Sequence, residues 1–219
     1  MPEPPRVAHL DDLPSAAIIG GAITWRPVRR ELGIGAFGIN AYTAARAGGD
    51  LIEDHDETGG ASGRHEELYV VLRGHARFTV DGEEIDAPAG TFVFVGDRTS
   101  QRSAVAVADD TAALVVGGIV GEAFRSSPWE GSALAAAFAQ QGDYERALPL
   151  AREAIAEHGD NGGAVYNAAC AEALAGDRAA ALEHLRRAIE LDPRCAEWAK
   201  DDADLDPIRA DPGFSALGS

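Results

Sequence analysis

The stretch "YVVLRGHARFTVDGEEIDAPAGTFVFV", residues 69–95, decides how the first half of this chain folds. Apolar residues recur in short runs with the two-residue period of a pleated strand. The runs break at Gly74, at Asp81-Gly82 and at Pro88-Ala89-Gly90. "RFTVDGEEI" reads as a strand, a tight Asp-Gly turn and a returning strand, the strongest short-range hairpin signal in the chain. Working outward, "AAIIGGAITWRPV" and "AFGINAYTA" precede this core, and "SAVAVADD" and "TAALVVGGIV" follow it. All are rich in Val, Ile, Phe, Tyr or Thr and are punctuated by Gly, Pro or Asp. Many short strands at even spacing predict an all-β sandwich or barrel over residues 1–125, with residues 1–15 expected as a flexible leader.

The texture changes after "RSSPWE". "SALAAAFAQQGDYERALPLAREAIAEHG" is alanine-rich and carries helical spacing, so residues 126–219 are expected to form a second, all-α domain. A shift of 34 residues aligns Ala135 with Ala169, Gly142 with Gly176 and Asp143 with Asp177. The same shift aligns Ala147 with Ala181 and Ala154 with Ala188. That period, with small residues where helices cross and "GD" at the turn, resembles the tetratricopeptide repeat family over roughly residues 128–195. The resemblance implies helical hairpins that dock a protein. Two features depart from it. Pro149 falls inside the second helix, where proline kinks or costs a few kcal/mol. Only two repeats are present, fewer than the roughly three that a free-standing solenoid needs. "AEWAKDDADLDPIRADPGF" resembles a capping segment, with Trp198, Leu205, Ile208 and Phe214 expected to close the core. A partner-binding module and a helical cap on the barrel remain open readings of this half.

The totals exclude several classes. There are 36 acidic and 19 basic residues, a net charge of −17, and the single lysine is Lys200. Such a surface repels phosphate backbones and anionic lipid, which argues against nucleic-acid or membrane-surface partners. The start, "MPEPPRVAHLDDLPS", lacks the basic and apolar regions of a signal peptide, and no apolar run approaches the roughly 20 residues of a membrane helix. Two cysteines, Cys170 and Cys195, are too few for a disulfide framework. A soluble, cytoplasmic chain with reduced thiols is expected. No phosphate loop, serine nucleophile elbow or zinc-finger spacing occurs.

The chemistry concentrates in "EDHDETGGASGRHEELYVVLRG", residues 53–74. Strand alternation puts His55 and Glu57 on one face, and His65, Glu67, Tyr69 and Val71 on one face. If residues 58–64 are a connecting loop, the two strands are antiparallel neighbours. They would then present His55, Glu57, His65 and Glu67 together. Imidazole and carboxylate donors suit Mn, Fe, Ni or Zn.

Over residues 40–120 the sequence resembles the cupin family. Gly49, five residues, His55-x-Glu57, and then Glu67, six residues, Gly74 follow the first cupin motif. "GEEIDAPAGTFVFVGDRTSQ" follows the second. The resemblance implies a six- to eight-stranded jelly-roll barrel, commonly a homodimer through its outer strands, with any metal inside one end. It carries Glu67 and His55 onto family ligand positions. Glu57 replaces the second histidine, Gln101 stands at the histidine of the second motif, and His65 is an additional candidate. Counting back from Glu67 instead would place Ala61 and Gly63 at the two histidine positions.

Two carboxylates inside a barrel need a neutralising partner. A divalent metal, a cationic substrate, or Arg77, Arg98 or Arg102 would serve. Three function classes follow: a metal- or ligand-binding module with protein-docking repeats, a metal-dependent enzyme of dioxygenase, isomerase or epimerase type, and an assembly protein. In the enzyme, Tyr69 or Glu57 would act as acid or base; in the module, Tyr69 and Gln101 would face the ligand. The lack of a three-histidine set argues against oxygen chemistry and favours the binding module.

Overall fold

The computed structural model describes residues 5–18, 21–58 and 64–218. It divides into two compact units, residues 1–126 and 127–219. Ala61, Gly63, most of the expected 58–64 loop and the first four residues of the leader lie outside the described residues.

Among the described residues the first unit holds ten strands: β1 (Ala16–Ile18), β2 (Ile23–Arg26), β3 (Gly38–Ala44), β4 (Asp50–His55), β5 (Glu66–Arg73), β6 (His75–Val80), β7 (Glu83–Pro88), β8 (Phe92–Val95), β9 (Arg102–Ala106) and β10 (Thr111–Gly118). A short helix, α1 (Val28–Leu32), lies between β2 and β3. The strands form two antiparallel sheets, ordered β1-β2-β3-β10-β5-β8 and β4-β9-β6-β7. From β3 onward each connection crosses to the other sheet, except the β6–β7 hairpin. That strand order is a jelly roll, extended at one edge by β1 and β2. The hairpin closes as read from the sequence, with Val80 opposite Glu83 across Asp81-Gly82.

Alternation along the strands fills the space between the sheets. Leu51, Ile52, Tyr69, Val71, Phe78, Val93, Val95, Ala104 and Ala106 form the core. Outside the larger sheet, Leu10, Leu13, Val28 and Leu32 cover Ile39, Ala41 and Leu114. Gly74 makes the β5–β6 crossover possible. Its φ is +73°, and a Cβ there would lie 2.4 Å from Thr111 Oγ1, the atom that accepts the His75 N–H.

One expectation is corrected here. β4 and β5 are not antiparallel neighbours: β4 pairs with β9, whereas β5 lies between β10 and β8 in the other sheet. Their polar residues meet across the interior, because the jelly-roll crossover carries the chain from one sheet to the other.

The second unit contains α2 (Pro128–Gln140), α3 (Tyr144–His158), α4 (Gly162–Leu174), α5 (Arg178–Leu191), α6 (Arg194–Asp201), a 3-10 turn at Ala203–Ile208, and α7 (Pro212–Ser215). The 34-residue repeat reappears as geometry. Gly142 and Gly176 both take positive φ, and Asp143 and Asp177 cap the helices that follow, accepting from Arg146 N and Ala180 N. Ala135, Ala169, Ala147, Ala181, Ala154 and Ala188 are all buried. α3 runs as one helix through Pro149, with Ala147, Ala151 and Ala154 buried on its inner face. Leu205 and Ile208 complete the core and Phe214 packs against it. Trp198 stays largely exposed, its ring edge-on to Tyr166 at 5.5 Å. No described helix is long and apolar enough to cross a membrane.

Candidate metal centre

Four elements converge at one end of the β-unit. β4 ends on His55, and Glu57 follows two residues later, its own N–H held by the Arg98 carbonyl at 2.8 Å. β5 contributes Glu67 and Tyr69 from the opposite sheet, and β9 contributes Arg102, in register with His55. Among the described residues, His55, Glu57 and Glu67 bring one donor atom each within 4.8 Å of one another. Glu57 and Glu67 are only 5% and 9% exposed, and the Arg102 side chain 0%.

The distances inside this cluster are telling. His55 Nε2 lies 3.8 Å from Glu57 Oε1 and 3.7 Å from Glu67 Oε2, too far for hydrogen bonds. His55 Nδ1 lies 2.9 Å from the Glu53 carbonyl. Since a carbonyl only accepts, Nδ1 carries the proton there, and a neutral ring turns its Nε2 lone pair toward the carboxylates. Orientation of a ligating histidine by such a second bond is the usual pattern around protein-bound metals. Glu57 Oε2 accepts the His65 N–H at 3.0 Å, and the Tyr69 hydroxyl donates to Glu67 Oε2. Arg102 Nε lies 3.7 Å from the same Glu67 oxygen.

The electrostatics follow from burial and charge. Desolvation opposes a charged His55, but Glu67 and the Glu53 carbonyl outweigh it and push its pKa up to about 9. Burial pushes the Glu57 carboxyl up, only partly countered by the His65 N–H. Burial would raise Glu67 as well, yet His55, Tyr69 and Arg102 together hold it below the usual carboxylate range. Burial and then the Glu67 charge keep the Tyr69 phenol firmly protonated.

The residues fit a divalent ion. One that binds ~2.1 Å from each of two donors leaves them roughly 3–4.2 Å apart, from cis to trans geometry. The observed 3.7 and 3.8 Å fall in that interval. One imidazole nitrogen and two carboxylates suit Mn, Fe, Ni or Zn. An ion would take the place of the proton on His55.

The remaining sequence candidates lie elsewhere. The His65 ring packs toward Gly117 and 5.9 Å from Phe124, outside the three-residue group, and only its backbone N–H reaches Glu57. Gln101 is exposed and gives its N–H to Asp81 Oδ1 at 2.9 Å. Arg77 and Arg98 are exposed, so Arg102 is the arginine of the site. Alternation could have singled it out, since Ala104 and Ala106 on β9 face inward and Arg102 shares their phase. A second group, Cys170, Asp202 and Asp204, has metal-ligand chemistry in the helical unit. It is closed by hydrogen bonds: Tyr166 to Asp202 at 2.8 Å, and Gln140 to Asp204 at 2.8 Å.

A family model described as tetratricopeptide repeat matches residues 138–200. No curated protein matched the chain. Among solved structures, a cupin protein from Bacteroides fragilis is 17% identical, with 53% of this chain and 92% of that one covered, at a TM-score of 0.37. An RmlC-like cupin protein from Desulfovibrio desulfuricans is 27% identical, with 38% and 73% covered, at 0.32. A structure described as a sugar phosphate isomerase from a cupin superfamily, from Silicibacter pomeroyi, is 14% identical, with 52% and 76% covered, at 0.43. The strand order of the first unit is that of a jelly roll, and the second unit, whose residues 138–200 match the tetratricopeptide model, is built of repeated helical hairpins.

Proposed function

We propose that this chain is a binding module. Its β-unit holds a divalent transition metal on His55, Glu57 and Glu67, and its helical unit docks a protein. One observation carries the metal reading: three possible ligand atoms converge in a buried space without a hydrogen bond between them. Tyr69 orients Glu67, and the Glu53 carbonyl orients His55. The bound cation would fix a ligand by coordination. Elemental analysis of full-length protein purified without a metal-affinity tag tests this. About one equivalent of Mn, Fe, Ni or Zn is expected, lost in His55→Ala; below roughly a tenth of an equivalent in both proteins, the metal reading fails.

A second reading, a metal-dependent enzyme acting on a small molecule, draws on Glu57. Burial raises this carboxyl toward the range useful for proton transfer. Turnover in a substrate screen that disappears in Glu57→Gln with metal retained would favour it.

The net charge of −17 disfavours nucleic acid as a partner, so the docked molecule in this reading is a protein. A homodimer is supported by the outer face of the larger sheet. Phe92 and Phe94 on edge strand β8 are 68% and 62% exposed, beside exposed Leu72 of β5. Light scattering on the wild type and on Phe92→Glu/Phe94→Glu should read dimer and monomer; two monomers would refute it.

A further inference from the structure

Arg102 has a property that the metal reading does not use. Its side chain is fully buried, yet Nε and both terminal nitrogens make no hydrogen bond. Its nearest carboxylate is that of Glu67, 3.7 Å away and already taken by the Tyr69 hydroxyl, while Asp56 and Asp97 feel its charge from farther off. A guanidinium offers five N–H donors in a planar fork. Burying that fork unsatisfied is costly unless an acceptor completes it. The fork belongs to the same cluster as the three metal donors, on the strand paired with β4.

Charge chooses the acceptor. Among the buried groups, with a neutral imidazole, the carboxylates of Glu57 and Glu67 cancel a divalent ion, and the charge of Arg102 is left over. A single negative charge restores neutrality, whereas a phosphate dianion overshoots it beside two carboxylates. A carboxylate also matches the fork with two coplanar oxygens. We propose that Arg102 anchors a small monocarboxylate inside the β-unit, beside the cation. This inference rests on the metal reading for its charge balance, and it assigns the ligand class of that site. The ligand enters past His55, whose side chain, at 24% exposure, is the most open of the three metal donors.

The test is calorimetric titration of acetate into the zinc-loaded full-length chain, with acetamide as the neutral control of the same shape and inorganic phosphate as the competing anion. Acetate should bind and acetamide should not. Arg102→Gln should raise the acetate Kd by at least about tenfold and Arg102→Lys by less, with zinc stoichiometry unchanged in both. Should the variants misfold, the wild type still decides. The Arg102 Nε–H resonance, assigned through its own backbone, should shift on addition of acetate and not of acetamide. Acetate binding that is absent, equal in Arg102→Gln, or outcompeted by phosphate at equal concentration overturns the proposal while leaving the metal reading intact. Failure of zinc uptake overturns the metal reading instead; acetate binding that still depends on Arg102 would then keep the anchor, and its absence would remove it.

Discussion

The two units bury polar groups in opposite ways. In the helical unit the buried and half-buried polar groups named next close on near partners. His184 meets Glu172 at 2.7 Å, and Asp202 takes the Tyr166 hydroxyl at 2.8 Å. Asn167 donates to Ser132 at 3.1 Å. In the β-unit the corresponding groups stop short: His55 stands 3.7–3.8 Å from two carboxylates, and Arg102 makes no hydrogen bond. Both units contain a trio with metal-ligand chemistry, but the helical trio has an internal bond from Cys170 Sγ to Asp202 Oδ2 at 3.6 Å, whereas that of the β-unit has none among the described residues. Satisfied polar groups specify a fold, whereas convergent unsatisfied ones leave room for a ligand.

That contrast can be broken by substitution. Glu67→Ala leaves Arg102 buried without its counter-charge and should cost about 3–5 kcal/mol in chemical denaturation, with loss of metal uptake. The comparable change in the helical trio, Asp202→Ala, should leave metal content untouched; metal loss there would erase the distinction between the clusters. Leu185→Ala, at a fully buried position of α5, should cost about 2–5 kcal/mol through its cavity alone. It should leave metal content as in the wild type.

A pH series sharpens the comparison. The folded pKa of His55 lies at about 9 against an ordinary 6.5, so the folded state binds its proton more tightly. In metal-free protein its stabilisation is fully present below 6.5 and disappears as pH rises through 9. The melting temperature should therefore fall across that window, and the His55→Asn profile should be flatter. Metal uptake requires the neutral ring, so it should release a proton and strengthen as pH rises. A wild-type profile indistinguishable from that of His55→Asn would remove His55 from the cluster. The smallest effect belongs to the repeat turn: Asp177→Ala removes the N-cap of α5 and should cost about 1 kcal/mol in thermal unfolding.

Strand phase is legible in "YVVLRGHARFTVDGEEIDAPAGTFVFV" because a two-residue period survives in composition, and Asp81-Gly82 admits few conformations. The helical repeat is legible because small residues must recur where helices cross. The candidate site was legible only in part. Local alternation linked His55 to Glu57 and Glu67 to Tyr69, since those relations span two residues. It misjudged how the pairs meet, placing β4 beside β5 when they face each other from opposite sheets. The order of strands in a jelly roll is settled by crossovers, which no short-range pattern encodes. His65 shows the same limit, for it precedes β5 and turns toward Gly117 and Phe124.

By itself, then, the sequence determined the two kinds of secondary structure, the repeat turn and the residue types of the site. Those properties depend on neighbours within a few positions or on a fixed period. Only the tertiary structure decided that Arg102, and not Gln101, faces Glu67, and that His55 lies opposite two carboxylates without bonding either. Such relations depend on distances between strands remote in sequence, and packing of the whole interior sets those distances.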